Sequence, residues 1–226
     1  MARRRALLAA PALGWAAART PALAQNRQLD LLLVLAMDAS GSIDEAEFRL
    51  QREGYAEALG DPAVLAAIRS KPLGAIGVAV LEWGSPGGSA LVVDWMRIDG
   101  AGTAQALGAA LLAAPRSAQS YNAIGDAIHH ASHLLREGPF SAEQLVIDVS
   151  GDGPDMRSLR PAPVARDIVV RRGMVVNGLA IGPTGGTLAE HYRRDVMGGP
   201  GAFVLEAENR RDLARALRAK LVREIS

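Results

Sequence analysis

In the stretch Leu31-Leu32-Leu33-Val34-Leu35-Ala36-Met37-Asp38-Ala39-Ser40-Gly41-Ser42, a run of apolar residues ends abruptly in an acid, followed by small hydroxyl and glycine residues. An apolar run of this length, closed by a turn signal, predicts a strand buried on both faces. Asp44-Glu45-Ala46-Glu47-Phe48 then opens a helical pattern, with Asp44 as N-cap and Glu47 as its capping-box partner. Strand, turn and helix place one carboxylate and two hydroxyls at the carboxyl end of a central strand. That is where open α/β sheets bind their ligands.

Upstream of this strand, Arg3-Arg4-Arg5 precedes an apolar run from Ala6 to Ala18, and Ala22-Leu23-Ala24 supplies a small-x-small cleavage pattern. These are the three parts of a secretory signal peptide. Residues 1–24 are therefore expected to be a cleaved signal and residues 25–226 a single domain, exported to the periplasm or secreted. Arg4-Arg5-Ala6-Leu7-Leu8 also fits a twin-arginine signal. Four arginines leave with the segment (Arg3, Arg4, Arg5 and Arg19), taking the formal charge from +1 to −3. The basicity of the whole chain is thus an export feature, and no nucleic-acid partner is expected. No later run approaches the ~20 apolar residues needed for a membrane span. The absence of cysteine excludes disulfides, thiolate catalysis and cysteine-ligated metal.

Downstream, a helix is expected from Glu45 to Leu59 with Phe48, Tyr55 and Leu59 inward, then a short helical turn through Val64, Leu65 and Ile68. Ala75 to Trp83 reads as a second buried strand. Gly84 to Ser89 is too short for a helical crossover, so the strand Ala90 to Arg97 must run antiparallel as a sheet edge. Helices follow at Thr103 to Ala114 and Ala123 to Arg136, then a buried strand Leu145 to Ser150. Next come a helix from Pro163 to Arg172 with Val164, Ile168 and Val169 on one face, a strand from Met174 to Ile181 and an amphipathic segment from Leu188 to Val196. A short strand from Ala202 to Leu205 precedes a last helix, Arg210 to Ile225, with Leu213, Leu217, Leu221 and Ile225 at its core. The alternation predicts an α/β domain, doubly wound, with a mostly parallel central sheet, one antiparallel edge strand and helices on both faces.

Three loops fall on one edge of such a sheet. The first offers Asp38, Ser40 and Ser42, the second Ser120, Tyr121 and Asn122, and the third Asp152 and Asp155. Carboxylates with several neutral oxygens form a hard ligand set suited to magnesium, manganese or calcium. Asp155 reads as a turn residue, and Asp148, inside a strand, as a hydrogen-bonded core acid, because an unpaired buried carboxylate is costly.

Asp38-Ala39-Ser40-Gly41-Ser42 resembles the Asp-x-Ser-x-Ser signature of the von Willebrand factor type A domain and its metal-ion-dependent adhesion site. The resemblance implies a Rossmann-like fold and a divalent cation, Mg2+ first and Mn2+ or Ca2+ as alternatives. Its ligands would be Asp38, Ser40, Ser42 and Asp152, with Asn122 at the position where the family carries threonine. Ser120 could take that role through a shift of register. Further stretches narrow the likeness: Val146 to Gly153, Asn177 to Ile181, Gly198 to Val204 and Lys220 to Ile225 resemble a bacterial family of exported A-type domains, domain-of-unknown-function family 1194. The resemblance implies a non-enzymatic domain whose cation accepts an Asp or Glu from a protein partner.

Two other readings use the same residues. One is a metal-assisted phosphoester hydrolase, although Ser40 replaces the second acid of an Asp-x-Asp phosphatase and no histidine or lysine sits in the loops. The other is a structural A-type domain whose metal site has decayed, with Asn122 as the symptom. His129 and His133 have the spacing of a zinc-binding helix, but they fall opposite the stripe Ile124, Ile128, Ala131 and Leu135 and are expected to be solvated. Asp99-Gly100-Ala101-Gly102 lacks the third glycine of a dinucleotide loop, no Gly-x-Ser-x-Gly elbow occurs, and Trp83 and Trp95 read as packing residues.

Overall fold

The computed structural model describes residues 27–183, 185–209 and 212–226. The expected signal peptide, and Arg210 at the start of the last predicted helix, lie outside the described residues. In chain order the elements are β1 (Leu31–Asp38), α1 (Glu45–Leu59), α2 (Pro62–Ser70), β2 (Ile76–Trp83), β3 (Ala90–Ile98), α3 (Ala101–Ala113), α4 (Ile124–Glu137) and β4 (Gln144–Gly151). They continue with α5 (Ala162–Val170), β5 (Val175–Ile181), α6 (Thr187–His191) with a π-helical turn Tyr192–Val196, β6 (Val204–Ala207) and α7 (Leu213–Ile225). The strands form one six-stranded sheet in the order β3-β2-β1-β4-β5-β6. All neighbours are parallel except β2 and β3, so the expected antiparallel edge is present.

β1 is central because its sequence can be buried on both sides. All eight of its residues are buried. Leu31, Leu33, Leu35 and Met37 join the core under α1, α2, α3 and α7, while Leu32, Val34 and Ala36 join the core under α4, α5 and the Tyr192 turn. Trp83 is fully buried and donates its indole N–H to the Ala36 carbonyl at 3.0 Å. From β1 the chain winds first towards β2 and later crosses to β4, which makes the β1–β4 pair the topological switch point. The carboxyl ends of those two strands hold Asp38 and Gly151-Asp152.

α1 starts where the sequence places it. Glu47 N donates to Asp44 Oδ1 at 2.8 Å and Asp44 N to Glu47 Oε2 at 3.2 Å, the reciprocal pair of a capping box. Its buried stripe holds Phe48, Tyr55 and Leu59, and also Gln51 and Arg52.

Two expectations need correction. Val164 is exposed, and the inward face of α5 is Ala162, Ala165 and Val169. Gly125 of α4 lies so close to the chain entering α5 that a methyl group there would overlap the Arg160 carbonyl oxygen, and with Ala162 seated at that contact the helical period turns Ala165 and Val169 inward and Val164 outward. The histidines of α4 are not simply solvated: His129 and His130 are half-buried and hydrogen-bonded to neighbouring loops through Arg160 and Ser89.

Asp148 is a core acid, as expected, but its partner comes from α7. Lys220 Nζ lies 2.6 Å from Asp148 Oδ1 and 2.5 Å from Glu224 Oε1, with all three side chains fully buried. Asn177 Nδ2 donates to Glu224 Oε1 at 3.0 Å and Asn177 Oδ1 accepts from Phe203 N at 3.1 Å, so β4, β5 and α7 share one polar core. Burial pushes the Glu224 carboxyl up to about 7, Asp148 adding to the rise and Lys220 opposing it.

Candidate metal site

The first loop turns back on its own acid. Asp38 Oδ1 accepts the Ser40 backbone N–H at 2.8 Å, and Ser40 Oγ lies 3.1 Å from Ser42 Oγ. Ser42 Oγ then donates to Asp152 Oδ1 at 3.3 Å, and Asp152 N donates to Asp38 Oδ2 at 3.3 Å. Asp38, Ser40, Ser42 and Asp152 are therefore one hydrogen-bonded cluster at the ends of β1 and β4. Asp38 and Ser40 form its buried floor, Asp152 is half-buried and Ser42 is exposed, so the cluster opens towards solvent.

The electrostatics of this cup favour a positive guest. Burial pushes the Asp38 carboxyl up to about 7 against the hydrogen bond from Ser40, and the neighbouring Asp152 pushes the same way. Two carboxylates sharing a desolvated site repel one another unless a proton or a cation lies between them.

The second loop brings Asn122 to the third. The Asn122 carbonyl accepts from Met156 N at 2.5 Å, and a methyl group at position 153 would overlap the Asn122 amide nitrogen, so Gly153 makes room for this side chain beside Asp152. Asn122 Oδ1 is buried and accepts no hydrogen bond from any of the described residues. A buried acceptor without a donor costs ~1–3 kcal/mol, and a hard cation would satisfy it. Ser120 is engaged elsewhere: its carbonyl accepts from Gly41 N at 3.3 Å and its Oγ lies 3.1 Å from Ser85 Oγ. Asp155 is a cap, accepting from Gly125 N at 3.2 Å and Ala162 N at 2.9 Å, and stays out of the cluster. Among the described residues no group of three or more His, Cys, Asp and Glu side chains is placed to hold a metal, so any cation here depends on hydroxyl and amide oxygens as well as the two acids.

Three supporting groups were not singled out from the sequence. Gln51 Nε2 donates to the Asp38 carbonyl at 2.8 Å, and Arg116 donates to the Ile43 carbonyl at 2.8 Å while its guanidinium stacks 4.4 Å from the centre of the Phe48 ring. Gln51 had a readable signal, since it lies at i+3 from Phe48 on the buried stripe. Tyr192 had none that joined it to Asp38. Its hydroxyl, fully buried, reaches the underside of the site: a methyl group at Gly151 would lie 2.7 Å from Tyr192 Oη and 2.9 Å from Asp38 Oδ2. Beneath the loops, Arg52 pairs with Glu82 at 2.6 Å and also donates to the Leu111, Ala114 and Pro115 carbonyls. Glu82 Oε2 accepts from Ser117 N at 2.8 Å, which fixes the start of the second loop.

The fold is that of von Willebrand factor type A domains. The von Willebrand factor type A protein from Catenulispora acidiphila superposes with a TM-score of 0.62 at 16% identity, covering 87% of this chain and 43% of that one. The pilus adhesin SpaC from Lactobacillus rhamnosus GG gives 0.61 at 15% identity, over 87% of this chain and 30% of that one. Proximal thread matrix protein 1 from the mussel byssus, in a structure with a zinc-occupied MIDAS motif, gives 0.60 at 17% identity, over 86% and 45%. The chain thus spans less than half of each of these three structures. Comparison with curated proteins gave no match. The family model described as "Protein of unknown function (DUF1194)" matches residues 28–226.

Proposed function

The chain belongs to the DUF1194 family, and from that premise and the geometry of its loops we propose that it is a non-enzymatic, metal-dependent protein-binding domain. The observation that carries this reading is the closed cluster of Asp38, Ser40, Ser42 and Asp152 beside Asn122 Oδ1, which is unpartnered among the described residues.

These residues fit a divalent cation, Mg2+ first and Mn2+ or Ca2+ as alternatives. Bound there, the cation would supply a Lewis-acidic position for an external carboxylate. Asp38 and Asp152 offset its charge, Ser40 and Ser42 add neutral hydroxyls, and Asn122 adds an amide oxygen. Gln51 and Arg116 hold the first loop in place by its carbonyls. Because Ser42 is exposed and Asp152 half-buried, a partner's Asp or Glu can reach the cluster from solvent.

Two further observations support binding over catalysis. The loops of the cluster contain no histidine or lysine to serve as a general acid or base. The mussel protein carries zinc at the corresponding kind of motif, and the Lactobacillus rhamnosus GG neighbour is a pilus adhesin. The adhesin likeness and the secretory pattern of residues 1–24 support an exported location, and among the described residues no helix is long and apolar enough to cross a membrane.

The test is water-proton relaxation of the protein loaded with Mn2+, titrated with acetate as the simplest carboxylate. Saturable loss of relaxivity, absent in Asp38→Ala, is the expected result. A Mn2+ complex whose relaxivity acetate leaves unchanged contradicts the carboxylate-acceptor reading.

A further inference from the structure

A second pocket, of about 440 Å3, opens between α4, the β2–β3 loop and the β4–α5 loop, with Ser89, Asp126, His129, His130, Leu159 and Arg160 in its wall. None of these residues belongs to the cation cluster, and the pocket has its own scaffolding. Asp126 Oδ2 accepts from Gly87 N at 2.9 Å and Leu159 N at 3.0 Å, and its Oδ1 from Arg160 N at 3.2 Å. One buried carboxylate therefore ties both loops to α4 and spends its acceptor capacity on three backbone N–H groups.

The remaining polar groups are unbalanced. Arg160 Nη1 donates to His129 Nδ1 at 2.6 Å. An arginine cannot accept, so Nδ1 is the acceptor and the ring proton of neutral His129 sits on Nε2. Burial and the Arg160 charge lower the His129 pKa, in keeping with a neutral ring, and a proton on Nε2 leaves that nitrogen no lone pair for a metal. Among the described residues the Arg160 guanidinium makes the one hydrogen bond through Nη1, none through Nε or Nη2, and no ion pair. His130 Nδ1 shares one hydrogen bond with Ser89 Oγ at 2.8 Å. Against the Asp126 carboxylate, whose charge its three backbone N–H donors offset in part, the wall offers the free N–H donors and the charge of Arg160. Leu159, 78% exposed, adds an apolar lip.

We propose that this pocket is a second binding site, one that takes a small oxyanion, a carboxylate or a phosphate, on Arg160, whose guanidinium the His129 imidazole orients. The guanidinium would hold the anion through its free Nε–Nη2 edge, the bidentate geometry arginine offers to carboxylate and phosphate. His129 Nδ1, by accepting from Nη1, fixes the guanidinium and makes the ring a reporter of the site, and Asp126 ties the two flanking loops to α4. Leu159 favours a carboxylate bearing a short alkyl chain over phosphate.

The test is a pair of titrations of the protein labelled with 15N-histidine, one with sodium butyrate and one with inorganic phosphate, both in chelator so that the cation cluster takes no part. Saturable shifts of the His129 imidazole signals in the millimolar range are expected, with butyrate the tighter ligand. Arg160→Met should weaken binding about tenfold or more, and Arg160→Lys should retain part of it because the charge remains. Melting curves of both variants establish that they are folded. The proposal is overturned if neither anion gives a saturable shift in the wild type, or if folded Arg160→Met binds as tightly as the wild type. Binding of phosphate alone would keep the oxyanion site and overturn the role given to Leu159.

Discussion

Ser42 Oγ donates to Asp152 Oδ1 at 3.3 Å and so joins the first and third loops across 110 positions of sequence. The bond lies on the solvent side of the cluster, where no packed core enforces the position of either group. In Ser42→Ala the hydroxyl is lost both as a donor to Asp152 and as a neutral oxygen for a cation. Divalent-cation affinity measured by calorimetry should fall at least about tenfold, while the melting temperature in chelator should be almost unchanged.

Asn122 differs from the threonine that the resemblance implies, and its Oδ1 is buried without a donor among the described residues. If that oxygen is a ligand, Asn122→Ala should weaken cation binding and Asn122→Thr should preserve it. Equal affinities for wild type and Asn122→Ala would place the amide outside the coordination sphere.

The polar core under α7 makes a pH prediction whose sign follows from Glu224. Its carboxyl is held near 7 in the folded protein against an ordinary value of 4.5. Between those values the folded state binds more protons than the unfolded state, so this group's contribution to stability is greatest below about 4.5 and is lost as pH rises through about 7. The slope approaches about 1.4 kcal/mol per pH unit for a full proton. Glu224→Gln keeps an oxygen at the position that Asn177 bonds, and leaves Lys220 paired with Asp148 alone. Urea unfolding of this variant should show a flatter pH dependence across that window than the wild type.

Arg52 and Glu82 form a buried pair whose removal from one side strands the other charge. Arg52→Met should cost ~3–5 kcal/mol in denaturant unfolding. It should also weaken cation binding, because Arg52 holds the carbonyls of Leu111, Ala114 and Pro115 at the entry to the Asn122 loop.

The strands and the first loop were legible because each carries a local signal. β1 is a continuous apolar run ending in Asp38, and the Asp44–Glu47 cap is visible four residues beyond Ser40. The register between loops was not local: the doubly wound topology put Asp38 and Asp152 on one edge of the sheet, and the family resemblance singled out Asp152 over Asp155 as its partner. Polar residues on buried stripes were not singled out from the sequence, for a physical reason. Gln51 and Arg52 follow Phe48 by three and four positions, and Lys220 and Glu224 follow Leu213 and Leu217 by seven, so helical period alone places them inward. Their burial is tolerated because each meets a partner from a distant strand or loop, which no local pattern reveals. Val164 was misplaced because Ala162, seated against Gly125, sets the buried phase of α5 through Ala165 and Val169 and leaves Val164 outward. Tyr192 reaches the site from between β5 and β6, where its spacing from Leu188 and Val196 marks it as inward but no local pattern joins it to Asp38.

The central claim is that Asp38, Ser40, Ser42, Asn122 and Asp152 hold a divalent cation. Calorimetric titration of the protein with Mg2+, Mn2+ and Ca2+ in turn, beside Asp38→Ala shown to be folded by its melting curve, tests it most directly. The account predicts one site per chain for at least one of these ions, lost in the variant. No heat of binding with any of the three at millimolar concentration, or equal binding by Asp38→Ala, would contradict it.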